Sequence, residues 1–168
     1  MEVKEFLKRN LPPGMDPNPQ KNLFIFGNIS AFIISFFAFI VNYAEARQRL
    51  YMYLGGELTL NADATIGHFH SMLELFHGMY FLLIMFILGY IIYNYADYRR
   101  GSKSIYTMKR LPSVFERHRR ALTVPLLSVA ATVALAIAAA FLFFIIYVLA
   151  TPKICLPHDV WGELWRSL

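Results

Sequence analysis

The sequence predicts an all-α, polytopic membrane protein with three transmembrane helices. Three observations predict it: 57% of the 168 residues are apolar, only 16% are charged, and the apolar residues are gathered into three long blocks. A soluble domain is about 45–50% apolar and about 25% charged. The mean hydropathy of +0.45 therefore argues against a water-soluble globule, and it also excludes a disordered chain, which has low hydrophobicity. We expect residues 1–168 to form a single membrane domain.

Each block is long enough to cross a bilayer, which takes roughly 20 helical residues. We predict spans at 23–43, 73–95 and 124–150. The blocks lack the alternation of apolar and polar residues that is typical of barrel strands, so we expect helices. Pro125 is expected at the start of the third span, where a missing backbone N–H costs little. Between the first two spans we expect an extension of the first helix and then a turn at Gly55 and Gly56.

The basic residues are distributed unequally between the segments outside the spans. Twelve of the sixteen Lys and Arg residues lie in residues 1–21 or in the loop 96–121, and the other four lie in the first loop or in the tail 152–168. The more positive side of a membrane protein is normally cytoplasmic. We therefore expect the N-terminus inside and the C-terminus outside.

Both ends of the chain carry amphipathic patterns. Near the N-terminus, one face of a short helix would carry Val3, Phe6, Leu7 and Leu11. Such a helix suits the cytoplasmic membrane surface, and a terminus that is merely solubilised by its charges fits the pattern equally well. After Asp159, the expected N-cap, one face of a C-terminal helix would carry Trp161, Leu164, Trp165 and Leu168. We expect this second helix to lie in the outer membrane interface.

The loop 96–121 carries eight basic residues. Ser113, with Glu116 three positions later, fits a capping box and predicts the start of a short cytoplasmic helix. Positive charge of this kind can simply fix the topology and attract anionic lipids. The alternative is a docking surface for a cytosolic partner, formed by Phe115, Glu116, Arg117, Arg119 and Arg120.

A polar cluster is predicted at the outer end of the second span. His70, Glu74 and His77 are spaced i, i+4 and i+7, so a continuous helix would place them on one face. Neither of the other spans has a histidine, aspartate or glutamate in its interior, so we expect no metal and no cofactor in a single copy. A hydrated vestibule or a helix contact explains the cluster, and metal or proton handling shared across an oligomer is the less favoured alternative.

Small residues recur every four positions in the third span, at Ala130, Ala134 and Ala138. In lipid, small residues let helices approach closely, so this line predicts a packing face for another helix. Alanine is also common in ordinary spans. Three helices are too few to enclose a wide pore, which again favours a partner. The sequence contains neither a Ser-His-Asp arrangement nor a phosphate-binding loop, and we expect no enzymatic activity.

Residues 100–112 and 116–120 resemble a segment of small membrane proteins from Gram-positive bacteria that accompany ABC-type ATPases. The order of elements also resembles the first half of an ABC-2-type exporter permease. In that family the inner loop carries the helix that sits on the ATPase, so the resemblance implies that residues 113–121 are a docking helix. It also implies a bacterial inner (plasma) membrane. This chain has three predicted spans, whereas those permeases have six and a re-entrant element.

The resemblance implies a non-catalytic membrane subunit of an ABC-type exporter that couples to a cytosolic ATPase through the basic loop. The alternative is a structural or regulatory membrane protein that packs against partner helices without an ATPase. The expected partners are the lipid bilayer, other membrane subunits or further copies of the chain, and a cytosolic ATP-binding subunit, with no nucleic acid.

Overall fold

The fold is mostly helical, as predicted. The computed structural model describes residues 10–11, 16, 18–54, 57–61, 63–99 and 114–167. The helices within these residues are α1 (Asn18–Gln48), α2 (Phe69–Met72), α3 (Glu74–Arg99), α4 (Val114–Ala150) and α5 (Val160–Ser167). A short 3₁₀ turn, Lys153–Cys155, lies between α4 and α5.

Three of the helices are long and apolar enough to cross a membrane. The candidate spans are Asn18–Gln48, Glu74–Asn94 and His118–Ala150, which confirms the three predicted spans. Only 17%, 22% and 28% of their most apolar stretches are buried inside the protein. Because so much exposed apolar surface would not be tolerated in water, the chain is a multi-pass membrane protein in contact with lipid.

Helix α4 differs most from the prediction. It begins at Val114, directly after the capping-box serine, where a helix start is predicted. It then continues without interruption to Ala150, so residues 114–121 are the first turns of the third span helix and not a separate short helix. Pro125 therefore lies in the interior of the helix and not at its start. A proline is tolerated there when a neighbouring helix satisfies the carbonyl that the proline leaves free.

The loop after α1 contains a β-hairpin that the sequence analysis did not predict. Strands β1 (Tyr51–Leu54) and β2 (Glu57–Leu60) pair antiparallel, with Tyr51 opposite Leu60 and Leu54 opposite Glu57. The sequence signal was present, because a Gly-Gly pair between two short runs of strand-forming residues is typical of a two-residue hairpin connection. Gly55 and Gly56 themselves lie outside the described residues.

The chain divides into two compact units. The first comprises residues 1–29 and 80–134, and the second comprises residues 30–79 and 135–168. Helices α1, α3 and α4 each contribute residues to both units.

In the first unit, α1 and α3 approach closely at Gly27. A Cβ atom at this position would lie 2.5 Å from Cδ1 of Leu83, so a larger residue would displace that buried side chain. Leu11, one of the four residues predicted on the N-terminal apolar face, is buried together with Val124. The rest of the predicted N-terminal helix, residues 1–9, lies outside the described residues.

The second unit is built on a core of aromatic rings. Phe39 and Phe143 stack with their centroids 5.0 Å apart, and Phe69 forms a T-shaped pair with Phe144 at 5.5 Å and a tilted pair with Tyr147 at 5.3 Å. All five side chains are at most 5% exposed. Aromatic pairs in such geometries contribute about 0.5–1.5 kcal/mol beyond the area they bury, so this core holds α1, α2 and α4 together within the unit.

Candidate functional site

The predicted histidine cluster lies at a break in the helix. Helix α2 ends at Met72 and α3 begins at Glu74, so the continuous helix assumed from the spacing is interrupted at Leu73. The rings of His70 and His77 still lie 5.3 Å apart. Nε2 of His77 lies 2.8 Å from the main-chain oxygen of Ser167, so this histidine contacts the C-terminal helix.

A buried carboxylate, Glu163, organises the contact between α5 and the start of α2. Its side chain is only 3% exposed. Oε2 accepts a hydrogen bond from the backbone N–H of Phe69 at 3.1 Å, and Oε1 lies 2.9 Å from Nδ1 of His68 and 3.3 Å from the guanidinium of Arg166. A buried carboxylate needs such partners, because leaving it without them would cost several kcal/mol.

Glu163 was not predicted from the sequence, because the residue lies between the apolar positions of an amphipathic pattern, where a solvated side chain is the usual expectation. The predicted helix itself is present. It starts at Val160, and the Asp159 side chain accepts a hydrogen bond from the N–H of Gly162 at 2.9 Å, as expected of an N-cap. Leu164 is buried, whereas Trp161 and Trp165 are 66% and 70% exposed. Leu168 lies outside the described residues.

Further polar contacts fix the ends of the span helices in the same unit. The hydroxyl groups of Tyr43 and Thr151 lie 3.2 Å apart, and Tyr147 donates to the carbonyl of Gly67 at 3.3 Å. The N–H of Ile66 donates to the carbonyl of Cys155 at 2.9 Å. The first contact joins α1 to the residue directly after α4, and the other two join the segment before α2 to residues near and after the end of α4.

In the first unit, a side chain of α3 compensates for the proline of α4. Pro125 has no N–H to donate to the carbonyl of Ala121, four residues earlier. Nδ2 of Asn94 donates to this carbonyl at 3.1 Å, and both Asn94 and Ala121 are 3% exposed. The structure therefore links the end of the second span to the proline-containing turn of the third.

The predicted packing residues Ala130, Ala134 and Ala138 are all exposed. The opposite face of α4 supplies the contacts within the protein. Phe143 lies two and a half turns after Ala134 and is fully buried, and the buried hydroxyl of Thr132 accepts a hydrogen bond from Asn28 at 3.2 Å. The alanine line is thus turned away from the protein core.

The predicted docking residues lie in the first turns of α4. The backbone is helical from Val114 onwards, but the side chains of Phe115, Glu116 and Arg117 are outside the described part of the chain. Arg119 is exposed and Arg120 is half-buried. Their role in binding a partner stays a prediction.

Within the described residues, no group of three or more His, Cys, Asp or Glu side chains is arranged to hold a metal ion. Comparisons with known protein families, with curated proteins and with solved structures find no match to this chain.

Proposed function

We propose that this protein is a non-catalytic membrane subunit that assembles with other membrane helices through α4. The observation that carries the proposal is the exposed line Ala130, Ala134 and Ala138. Large apolar side chains fill much of the remaining lipid-facing surface, whereas this line offers a shallow strip to which another backbone can come close. The strip lies opposite the buried Phe143, so a partner can occupy it without disturbing the core.

The experiment compares Ala134→Leu with Ala44→Leu, because both alanines are exposed on span helices but only Ala134 lies on the strip. Labelled protein in lipid vesicles is followed by energy transfer between copies, and a mild-detergent pull-down records co-purifying membrane proteins. The leucine at 134 should weaken association about tenfold, equivalent to about 1.4 kcal/mol, and Ala44→Leu should not.

The two readouts identify the partner. Loss of energy transfer means that a second copy occupies the strip, and loss of only a co-purifying protein means that a different subunit does. If Ala134→Leu leaves both readouts unchanged, the strip is ordinary lipid-facing surface and the proposal is wrong.

We further propose that the complex is an ABC-type exporter and that the basic end of α4 contacts its cytosolic ATPase. The resemblance of residues 100–112 and 116–120 to the segment described above supports this assignment. So does the continuity of α4, because a helix that runs unbroken from Val114 to Ala150 would carry a displacement at its basic end directly into the span. The bond from Asn94 to Ala121 would pass the same displacement to α3.

The test is the double charge reversal Arg117→Glu with Arg120→Glu. Its control reverses two charges in segments that the charge count assigns to the other side of the membrane, Arg47→Glu with Lys153→Glu. Tagged protein is purified from native membranes in mild detergent, and co-purifying proteins are searched for a phosphate-binding loop. Loss of such an ATPase only in the first variant supports the proposal. An unchanged complex, or the absence of any ATP-binding protein, contradicts it.

A further inference from the structure

A polar cleft of about 360 Å³ opens between the end of α1 and the segment that leads into α2. This volume lies within the range of small-molecule sites, about 300–1,000 Å³. One wall consists of Asn42, Glu45 and Ala46 in α1 and of Arg49 directly after it, and the facing residues include Thr65 and Ser71. Nδ2 of Asn42 donates to the carbonyl of Met72 at 3.3 Å, which holds the two walls together.

The cleft contains one negative and one positive side chain, Glu45 and Arg49. Arg49 directly follows the last residue of α1, and its N–H donates to the carbonyl of Glu45 at 3.3 Å, so the two residues lie about one turn apart. Neither side chain forms an ion pair or a hydrogen bond with any residue that the structure describes. A site with one charge of each sign does not favour a simple anion or cation. It favours a molecule that carries both charges.

The end of α1 supplies a further acceptor beside Glu45. The amide groups that would normally bond the carbonyl of Ala46 are those of Arg49 and Leu50. Instead, Arg49 donates to the carbonyl of Glu45 at 3.3 Å and Leu50 donates to that of Arg47 at 3.1 Å. The carbonyl of Ala46 is thus left without these donors at a helix C-terminus, where the partial negative charge of the helix favours a cation.

We propose that this cleft binds a zwitterion that carries an ammonium group and an anionic phosphate or carboxylate. The ammonium lies against Glu45 and the carbonyl of Ala46, and the anionic group accepts paired hydrogen bonds from the guanidinium of Arg49. Two sources share this chemistry: the ethanolamine headgroup of a phospholipid and a free amino-alkyl phosphate or amino acid. Because α1 is a span helix, a lipid headgroup can reach the cleft from the membrane surface.

The experiment uses the full-length protein in detergent and two sets of ligands. Native mass spectrometry measures binding of phosphatidylethanolamine and phosphatidylglycerol with matched acyl chains, and calorimetry measures binding of soluble O-phosphoethanolamine. The variants are Glu45→Gln and Arg49→Gln. Their controls, Glu57→Gln and Arg47→Gln, make the same charge changes at exposed positions outside the cleft. Circular dichroism verifies that all four variants fold.

We expect phosphatidylethanolamine to bind about tenfold more tightly than phosphatidylglycerol. Glu45→Gln should abolish this preference, since the ammonium group distinguishes the two headgroups, and Arg49→Gln should weaken the binding of both lipids. The same pattern for O-phosphoethanolamine alone identifies a soluble zwitterion as the ligand. The proposal is overturned if neither ligand shows a dependence on Glu45, or if the control variants cause equal losses.

Discussion

The hydrogen bond from Asn94 to the carbonyl of Ala121 predicts that the two residues Asn94 and Pro125 are energetically coupled. Asn94→Leu keeps the volume of the side chain but removes the donor 3.1 Å from a buried carbonyl. Leaving such a group without a partner costs about 1–3 kcal/mol in soluble proteins. Interhelical hydrogen bonds in membranes average about 0.6 kcal/mol and reach about 1.7. We therefore expect Asn94→Leu to lower the free energy of unfolding by about 1 kcal/mol.

The replacement Pro125→Ala should remove most of that loss. An alanine at 125 has an N–H, which can donate to the carbonyl of Ala121 within α4. In that background Asn94→Leu no longer leaves the carbonyl without a donor, so the two substitutions should be coupled by about 1 kcal/mol. Proline also restricts the unfolded chain, but this contribution is present in both arms of the double-mutant cycle and cancels.

The cycle is measured by reversible unfolding of the four proteins in mixed micelles, followed by the circular dichroism of the helices. Asn22→Leu is the matched control, because Asn22 is exposed on α1 and its replacement should change the stability little. If Asn94→Leu is equally destabilising with proline and with alanine at position 125, the carbonyl of Ala121 is not what Asn94 stabilises, and the reasoning is refuted.

Two further substitutions test the packing of each unit. Gly27→Ala should destabilise the protein by about 1 kcal/mol in thermal unfolding. Displacing the buried side chain of Leu83 costs about 1–3 kcal/mol, and the higher helix propensity of alanine returns at most about 1 kcal/mol. The control Gly89→Ala, with open space around its Cβ position, should instead be neutral or stabilising. Glu163→Ala should leave a backbone N–H of α2 without its acceptor and speed hydrogen exchange in α5 by about tenfold or more. The control Glu74→Ala, at an exposed position, should not change this exchange. Unchanged exchange in α5 of the Glu163→Ala variant would mean that the carboxylate does not hold this helix.

The spans were predictable because the bilayer restricts which backbone structures can cross it. A block such as 124–150 has to be helical in lipid, since only a helix or a closed barrel satisfies its backbone there. The continuity of α4 was not predictable in the same way. Hydropathy does not indicate whether the polar residues before a span belong to the same helix, and Pro125 was consistent with the start of a helix. The hydrogen bond from Asn94 to the carbonyl of Ala121 explains how the helix can continue past Pro125.

The polar contacts of the C-terminal helix depended on residues far apart in the sequence. The pattern around Trp161 and Leu164 predicted an amphipathic helix, and Asp159 predicted its start. Neither pattern indicates what covers each face of this helix. The burial of Glu163 follows from its contact with the N–H of Phe69, 94 positions away, and no local signal marks a carboxylate for such a partner.

Helix ends and prolines leave backbone groups without partners inside the helix, and the chain treats three of these groups differently. The carbonyl of Ala121 accepts a hydrogen bond from the side chain of Asn94, and the N–H at the start of α2 donates one to the carboxylate of Glu163. The carbonyl of Ala46 receives no side chain that the structure describes, and Ala46 lines a cleft beside one carboxylate and one guanidinium. The first two groups are satisfied by the fold itself. The third is completed when an ammonium group binds, which is why we expect a small-molecule ligand in this cleft and not at the histidines whose spacing first suggested a site.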